Sequence, residues 1–476
     1  MTRRLTFGLA GVLSAALLAS AAPVLAQSAY PPMPAVGAPK PFSLPQMETY
    51  TLRNGLQVTL IPYGLTPKTV VSLRVPTGNI DDGADTWIAD LTADMLREGA
   101  GSRSGPQLAQ AAASMGGGLQ TSVNQFETGV SINVLSEHGP AAVGLISDVA
   151  RRPTFPASEF GRVRDGRARQ VAVARSTPGS QADVALAQAQ YGADHPYGRV
   201  FPTDAQLAGF TVEQAKAFHA ANYGARGARL YVAGQFDTAA MKAAIEQAFG
   251  DWAPGDGPTA APATRDTPMQ VLLVDRPGAA QSTLRLAFPA PAIGGQDDLE
   301  MRVTNTLLGG SFNSRITKNI REAKGYTYSP GSGLAYEDPQ ETSWVFNADV
   351  TTAVTGESLK EVFGEIRRLQ TEAPSAAENA GAKTYLSGIF VLSNANAPGI
   401  VGQLAYSDMM GLPRGWMDGY VPGVLAVTPA EMEAAAAAHL PLDKMTLVVV
   451  GDLATVRPQL EALPELQGAT MQVVTP

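Results

Sequence analysis

The run TVEQAKAFHAANYGARGARLYVAGQFD, residues 211–237, returns in altered form as TPAEMEAAAAAHLPLDKMTLVVVGDLA at residues 428–454. The offset is constant at 217 residues (428 − 211): Thr211 meets Thr428, Leu230 meets Leu447, Val232 meets Val449 and Gly234 meets Gly451. In each copy a threonine able to cap a helix precedes a helix-favouring stretch. A continuous apolar run ending at glycine follows, as expected of a buried strand. A capped helix and a buried strand, written twice, imply a duplicated unit.

Two further matches extend the duplication toward the start of each copy. Gln57-Val58-Thr59-Leu60 resembles Gln270-Val271-Leu272-Leu273, and Leu73-Arg74-Val75 resembles Leu284-Arg285-Leu286. Three matches in the same order predict two homologous domains, at 47–252 and 268–476. The Pro-, Gly- and Ala-rich stretch between them reads as a linker over 253–267. The period is far longer than that of solenoid or propeller repeats. The first domain opens with NGLQVTLIPY, where Asn54-Gly55 supplies a hairpin turn and Leu56, Val58 and Leu60 alternate as in a half-buried strand. Alternating segments such as TGVSINVLSEH (128–138) and TSWVFNADVT (342–351) mix with helical ones such as LKEVFGEIRRLQTEA (359–373), without strict βαβ order. The expected fold is α+β, each domain a mostly antiparallel or mixed sheet with helices on one face.

Composition narrows the function. Lys plus Arg is 35 against 43 for Asp plus Glu, a net charge of −8, which argues against nucleic acid as partner. There is no cysteine, which excludes disulfides, thiol catalysis, Cys-ligated zinc and iron–sulfur clusters. Residues 1–26 read as a secretory signal peptide: Arg3 and Arg4, an apolar run from Leu5 to Leu18, then small residues up to Val24-Leu25-Ala26. Export to a periplasm is the expectation, with no membrane attachment after cleavage. Residues 27–46 form a Pro-rich, extended lead-in.

Five segments together make the chain resemble the pitrilysin/insulinase family of zinc metallopeptidases along nearly its whole folded length. They are NGLQVTLIPY, ADLTADMLREGAGSRS (89–104), ADHPYGR (193–199), LLGGSFNSRITKNIREAKGYTYS (307–329) and the paired strands ending at Gly234 and Gly451. That family carries an inverted zinc motif, H-x-x-E-H, on a helix. Its two His, at i and i+4, are ligands, and its Glu activates the bound water. The matching positions here are Asp90, Ala93 and Asp94. The remaining ligand of the family, a glutamate further along, falls near Gln170, and no Glu stands between Glu159 and Glu213. Two readings of Asp90 and Asp94 stay open: a polar helix face, with Asp94 beside Arg97 and Ala93 among the polar positions, or an all-oxygen cation site. The four histidines, His138, His195, His219 and His439, sit at a strand end, in a turn and on the two repeated helices, which suits structural roles. No metal is expected in this chain, and no peptide hydrolysis by it alone.

The resemblance also implies an Arg and a Tyr seven residues apart in the second half, which hold the substrate backbone and steady the transition state. In REAKGYTYS these are Arg321 and Tyr328, with Tyr326 a nearby competitor. Gly309-Gly310, just upstream, reads as a backbone-exposing loop open to an extended peptide. The implied protein is a non-catalytic, substrate-binding subunit of a periplasmic heterodimeric zinc peptidase. It would lend Arg321 and Tyr328 to a homologous two-domain subunit with an intact H-x-x-E-H, and the zinc would sit in that partner. The alternative is a catalytically inert scaffold or peptide-binding protein, such as a homodimer.

Overall fold

Two mixed six-stranded sheets organise the protein in a computed structural model that describes residues 42–260 and 268–475. The stretch read as a signal peptide, most of the expected lead-in and part of the expected linker lie outside the described residues. In chain order the first half contributes β1 (Glu48–Thr51), β2 (Gln57–Pro62), β3 (Lys68–Val75), the small hairpin β4 (Gly99–Ala100) and β5 (Arg103–Ser104), β6 (Gln120–Val123), β7 (Thr128–Leu135) and β8 (Arg229–Gly234). The second half contributes β9 (Gln270–Asp275), β10 (Gln281–Pro289), β11 (Gly331–Tyr336), β12 (Thr342–Thr351), β13 (Thr446–Gly451) and β14 (Met471–Val473).

The sheet orders are β1-β2-β8-β3-β7-β6 and β11-β12-β10-β13-β9-β14. Read in the same direction, β2-β8-β3-β7-β6 and β9-β13-β10-β12-β11 are one topology used twice. Only the outermost strand differs. β1 pairs antiparallel with β2, whereas β14 pairs parallel with β9. The helices Val212–Asn222 and Pro429–His439 repeat down to their caps. Thr211 and Gln214 form a reciprocal capping box, and Thr428 and Glu431 form the other.

Strand register corrects one of the sequence matches. Val58 and Leu73 flank Leu230, while Val271 and Leu286 flank Leu447. Leu73 therefore corresponds to Leu286, two residues beyond Leu284. A slip of two keeps every side chain on the same face of a strand, so alternation alone does not reveal it.

Each half's own helices cover one face of its sheet, giving the expected α+β class. The opposite face is covered by a helix from the other half. Helix Pro178–Tyr191 lays Ala182, Ala185 and Leu186 against Leu272, Val274, Ala287, Val448 and Val450 of the second sheet. Helix Ala397–Met409 returns the exchange, packing on β8 and β3, and its Val401, Leu404 and Ala405 share a core with Ile61, Val70, Tyr231 and Ala233. The central strands are apolar on both faces because both faces are buried. Polar contacts fix the exchange: the Tyr231 hydroxyl donates to Asp408 Oδ2 at 2.6 Å, and Arg285 Nε donates to Asp183 Oδ1 at 2.7 Å. Among the described residues no helix is long and apolar enough to cross a membrane.

Candidate functional site

The helix Ile88–Met95 presents the zinc-motif positions. It opens at Trp87, whose backbone is left-handed (φ 71°), a conformation that costs an L-residue roughly 1–2 kcal/mol. Asp82 secures that turn by accepting the backbone N–H groups of Trp87 at 2.7 Å and Ala89 at 2.9 Å. Burial pushes the Asp82 carboxyl up to about 7 against the pull of those bonds. The corresponding helix of the second half, Asp298–Leu308, opens on a left-handed Asp297 (φ 67°), so the duplication reaches this unusual turn as well.

Ile88, Leu91, Ala93 and Met95 are buried. Ala93 therefore departs from the expected polar face, because the helix Ala157–Ser176 packs over this side of Ile88–Met95. From that helix Arg167 reaches both acids: its Nε donates to Asp94 Oδ2 at 2.5 Å, and its Nη1 lies 3.4 Å from Asp90 Oδ1. Asn79 Nδ2 donates to Asp90 Oδ2 at 2.7 Å, and Arg97 stands 3.4 Å from Asp94. The guanidinium carbon of Arg167 lies 5.7 Å from the centre of the Trp87 ring. Burial raises the Asp90 carboxyl above the ordinary range, opposed by the Asn79 hydrogen bond and the Arg167 charge. Burial works against the Arg167 cation, yet the Asp94 hydrogen bond and the two carboxylate charges hold it more firmly protonated than a free arginine.

Gln170 lies three residues further along, exposed, and its side chain makes no hydrogen bond among the described residues. The residue that faces the motif positions is Arg167. The sequence signal for it was the pair of acids itself, since two helical carboxylates one turn apart call for a counter-charge.

These residues do not fit zinc. A structural or catalytic zinc takes three or four N, S or O ligands from the protein. Here both carboxylates are engaged by a guanidinium, and no third acid or histidine joins them. Among the described residues no cluster of three or more His, Asp or Glu could hold a metal ion. The same geometry stands against an all-oxygen cation site. The histidines are employed elsewhere. His219 Nε2 bonds the Ala150 carbonyl at 2.8 Å, His439 pairs with Asp297 at 3.3 Å, His195 accepts the Tyr197 N–H, and His138 lies 3.5 Å from Glu137.

The second-half site is built differently. Helix Asp298–Leu308 ends at Gly309, where β11 passes so close that a Cβ would lie 2.3 Å from Ser332 Oγ, and a Cβ on Gly310 would lie 2.5 Å from Asn305 Nδ2 of the helix itself. Both glycines also line the cleft at Arg321. The segment Thr317–Ala323 then forms a π-helical turn, a geometry frequent at functional sites, and Gly325 (φ 67°) reverses the chain.

Arg321 projects from this turn between two rings, its guanidinium carbon 4.3 Å from the centre of Phe312 and 5.2 Å from that of Tyr328. Tyr328 is 80% exposed and Phe312 63%. The Arg321 guanidinium has no ion pair or hydrogen bond among the described residues. Together with Thr317, Asn347 and Tyr385 it lines a cleft of about 490 Å³ beside the edge strand β11. A bidentate pair braces this segment, with Arg315 buried and Glu378 half-buried: Arg315 Nε and Nη2 donate to Glu378 Oε1 and Oε2 at 2.9 and 3.1 Å. The Arg315 hydrogen bonds, opposed by partial burial and aided by the Ser375 cap, hold the Glu378 carboxyl at about 2. Sequence reading passed over this pair, although Arg315 lies in the segment that carried the resemblance.

The profile described as Insulinase (Peptidase family M16) matches residues 60–198, and that described as Peptidase M16 inactive domain matches residues 209–386. An uncharacterized zinc protease of Mycobacterium tuberculosis is 26% identical over 375 residues, covering 75% of this chain and 83% of that protein. Another, from Bacillus subtilis, is 22% identical over 354 residues, covering 73% and 84%. The solved M16 inactive domain from Pseudomonas fluorescens shares the fold with a TM-score of 0.77 and 24% identity, covering 85% of this chain and 98% of its own. A protease from Helicobacter pylori gives a TM-score of 0.78 at 18% identity, covering 86% and 100%. With these profiles running between them from residue 60 to residue 386, and Asp90, Ala93 and Asp94 standing at the motif positions, the chain belongs to the insulinase (M16) peptidase family as a member of non-catalytic type.

Proposed function

We propose that this chain is the peptide-binding, non-catalytic subunit of an exported, periplasmic two-component zinc peptidase. A homologous two-domain subunit with an intact H-x-x-E-H holds the metal. The observation that carries this reading is the contrast between two arginines. Arg167 is consumed by Asp90 and Asp94 where the family's metal would be, whereas Arg321 is unpaired and faces an open cleft with Tyr328 beside it. A guanidinium donates to peptide carbonyls, and a phenol donates to an oxyanion developing on the scissile carbon. Both groups act on a substrate that another chain cleaves.

The test is cleavage of an unstructured peptide by this chain, by a two-domain homologue from the same organism that carries the motif, and by the mixture. Full activity is expected only in the mixture, and Arg321→Ala in this chain is expected to lower it by roughly 10²-fold, as for loss of a transition-state donor. A mixture no faster than the homologue alone, or an Arg321→Ala chain as effective as the native one, overturns the proposal.

A further inference from the structure

We infer that the cleft at Arg321 receives an apolar, uncharged stretch of polypeptide, which continues out of the cleft along the outer face of the helix Ala376–Ser393. The inference rests on reading the cleft as a peptide site and adds what kind of peptide it takes. Tyr385 lines the cleft together with Phe312 and Tyr328. Ile389 and Leu392 follow Tyr385 at i+4 and i+7, on the same helical face. Tyr385 and Ile389 are about half exposed, and Leu392 is 68% exposed. Scattered apolar side chains on a surface are ordinary, but a contiguous row that leads from a cleft is a mark of an interaction site. The row from Tyr385 to Leu392 rises about 10 Å along the helix, the reach of roughly three extended residues.

Charge decides the occupant. No Asp, Glu, Lys or Arg stands between Thr384 and Ser407. Lys383, just before, turns away, its ammonium donating to the carbonyls of Leu425 and Val427 at 2.8 and 2.9 Å. The ridge therefore offers nothing to a charged side chain, and burying one there would go uncompensated. At the cleft end the Arg321 guanidinium has no ion pair among the described residues, and peptide carbonyls would supply its acceptors.

The test measures anisotropy of two dye-labelled, unstructured peptides of equal length binding to the full chain. One is built of Leu, Phe, Ala and Gln; in the other Lys and Glu replace Leu and Phe. The apolar peptide is expected to bind about tenfold or more tightly, a difference of about 1.4 kcal/mol. Ile389→Lys and Leu392→Glu, of opposite charge and both at exposed positions, are each expected to remove that preference, while Arg321→Ala weakens both peptides. Equal binding of the two peptides, unchanged by Ile389→Lys yet weakened by Arg321→Ala, overturns the ridge and leaves the cleft standing. Binding of neither peptide overturns both. Light scattering covers the remaining outcome: a native dimer that Leu392→Glu splits into monomers assigns the ridge to a second copy of this chain and overturns the inference.

Discussion

Arg167 and Asp94 meet at 2.5 Å across two helices, and the guanidinium lies between Asp94 and Asp90. Two acids one helical turn apart need a cation, and here an arginine of the same chain supplies it. The arrangement is partly buried, with 22% of the Arg167 side chain exposed, so the ion pairs contribute more than surface pairs do and less than fully buried ones.

Replacing Arg167 by Met is expected to destabilise the fold by about 2 kcal/mol at pH 7, since it strips Asp90 of its guanidinium and leaves Asp94 with Arg97 alone. The Asp90 carboxyl, already raised by burial, then rises further, and folding takes up a proton there. The stability gap to the native chain accordingly narrows as pH falls from 7 to 5. Urea unfolding at the two pH values measures it, and a gap of constant size would contradict the assignment.

Glu378 behaves in the opposite sense. Its folded-state value of about 2 lies below the ordinary 4.5, so the Arg315–Glu378 pair stabilises above the unfolded value and loses that contribution as pH falls from about 5 toward 2. Glu378→Gln is expected to lower stability by roughly 1–3 kcal/mol at neutral pH and to flatten the acid limb of the melting-temperature profile. A profile identical to that of the native chain between pH 5 and 2 would count against it.

The exchanged helices join the two halves into one cooperative unit. Residues 42–260 produced alone would expose the sheet face around Ile61, Val70 and Ala233 and the Ala182–Leu186 face of their own helix. Calorimetry should show a single transition for the full chain and none for the half-chain. Tyr231→Phe, which removes the bond to Asp408, should cost about 1 kcal/mol.

Arg321→Ala and Tyr328→Ala should leave thermal stability within about 0.5 kcal/mol of native, because neither side chain is buried and Arg321 has no polar partner. Any loss of peptide binding or of stimulated cleavage in these variants then reports on the cleft itself. Melting curves taken beside the anisotropy assay separate the two effects.

Much of this protein was legible in its residues because the signals are local. Alternation and apolar runs mark β7, β8, β12 and β13. Threonine caps mark the repeated helices. The constant offset from Thr211 to Thr428 marks the duplication, and Asp90, Ala93 and Asp94 stand plainly where His, Glu and His are required. Arg321 and Tyr328 were implied by the family resemblance of their segment, and the fold puts the Arg321 guanidinium carbon 5.2 Å from the centre of the Tyr328 ring.

Other features depended on placement between segments distant in sequence. Gln170 and Arg167 are less than one turn apart on one helix, and only the rotation of that helix against Ile88–Met95, set by packing, decides which of them meets the acids. Helices 178–191 and 397–409 carry small and apolar residues on several faces, so nothing in their periodicity says which sheet they will cover. Composition and periodicity determined the elements, their duplication and the absence of a zinc motif, because those follow from each residue and its near neighbours. The exchange of helices between halves, the cation that stands against Asp90 and Asp94, and the apolar ridge beyond the cleft were decided only by tertiary packing, which alone determines which faces are left to meet water.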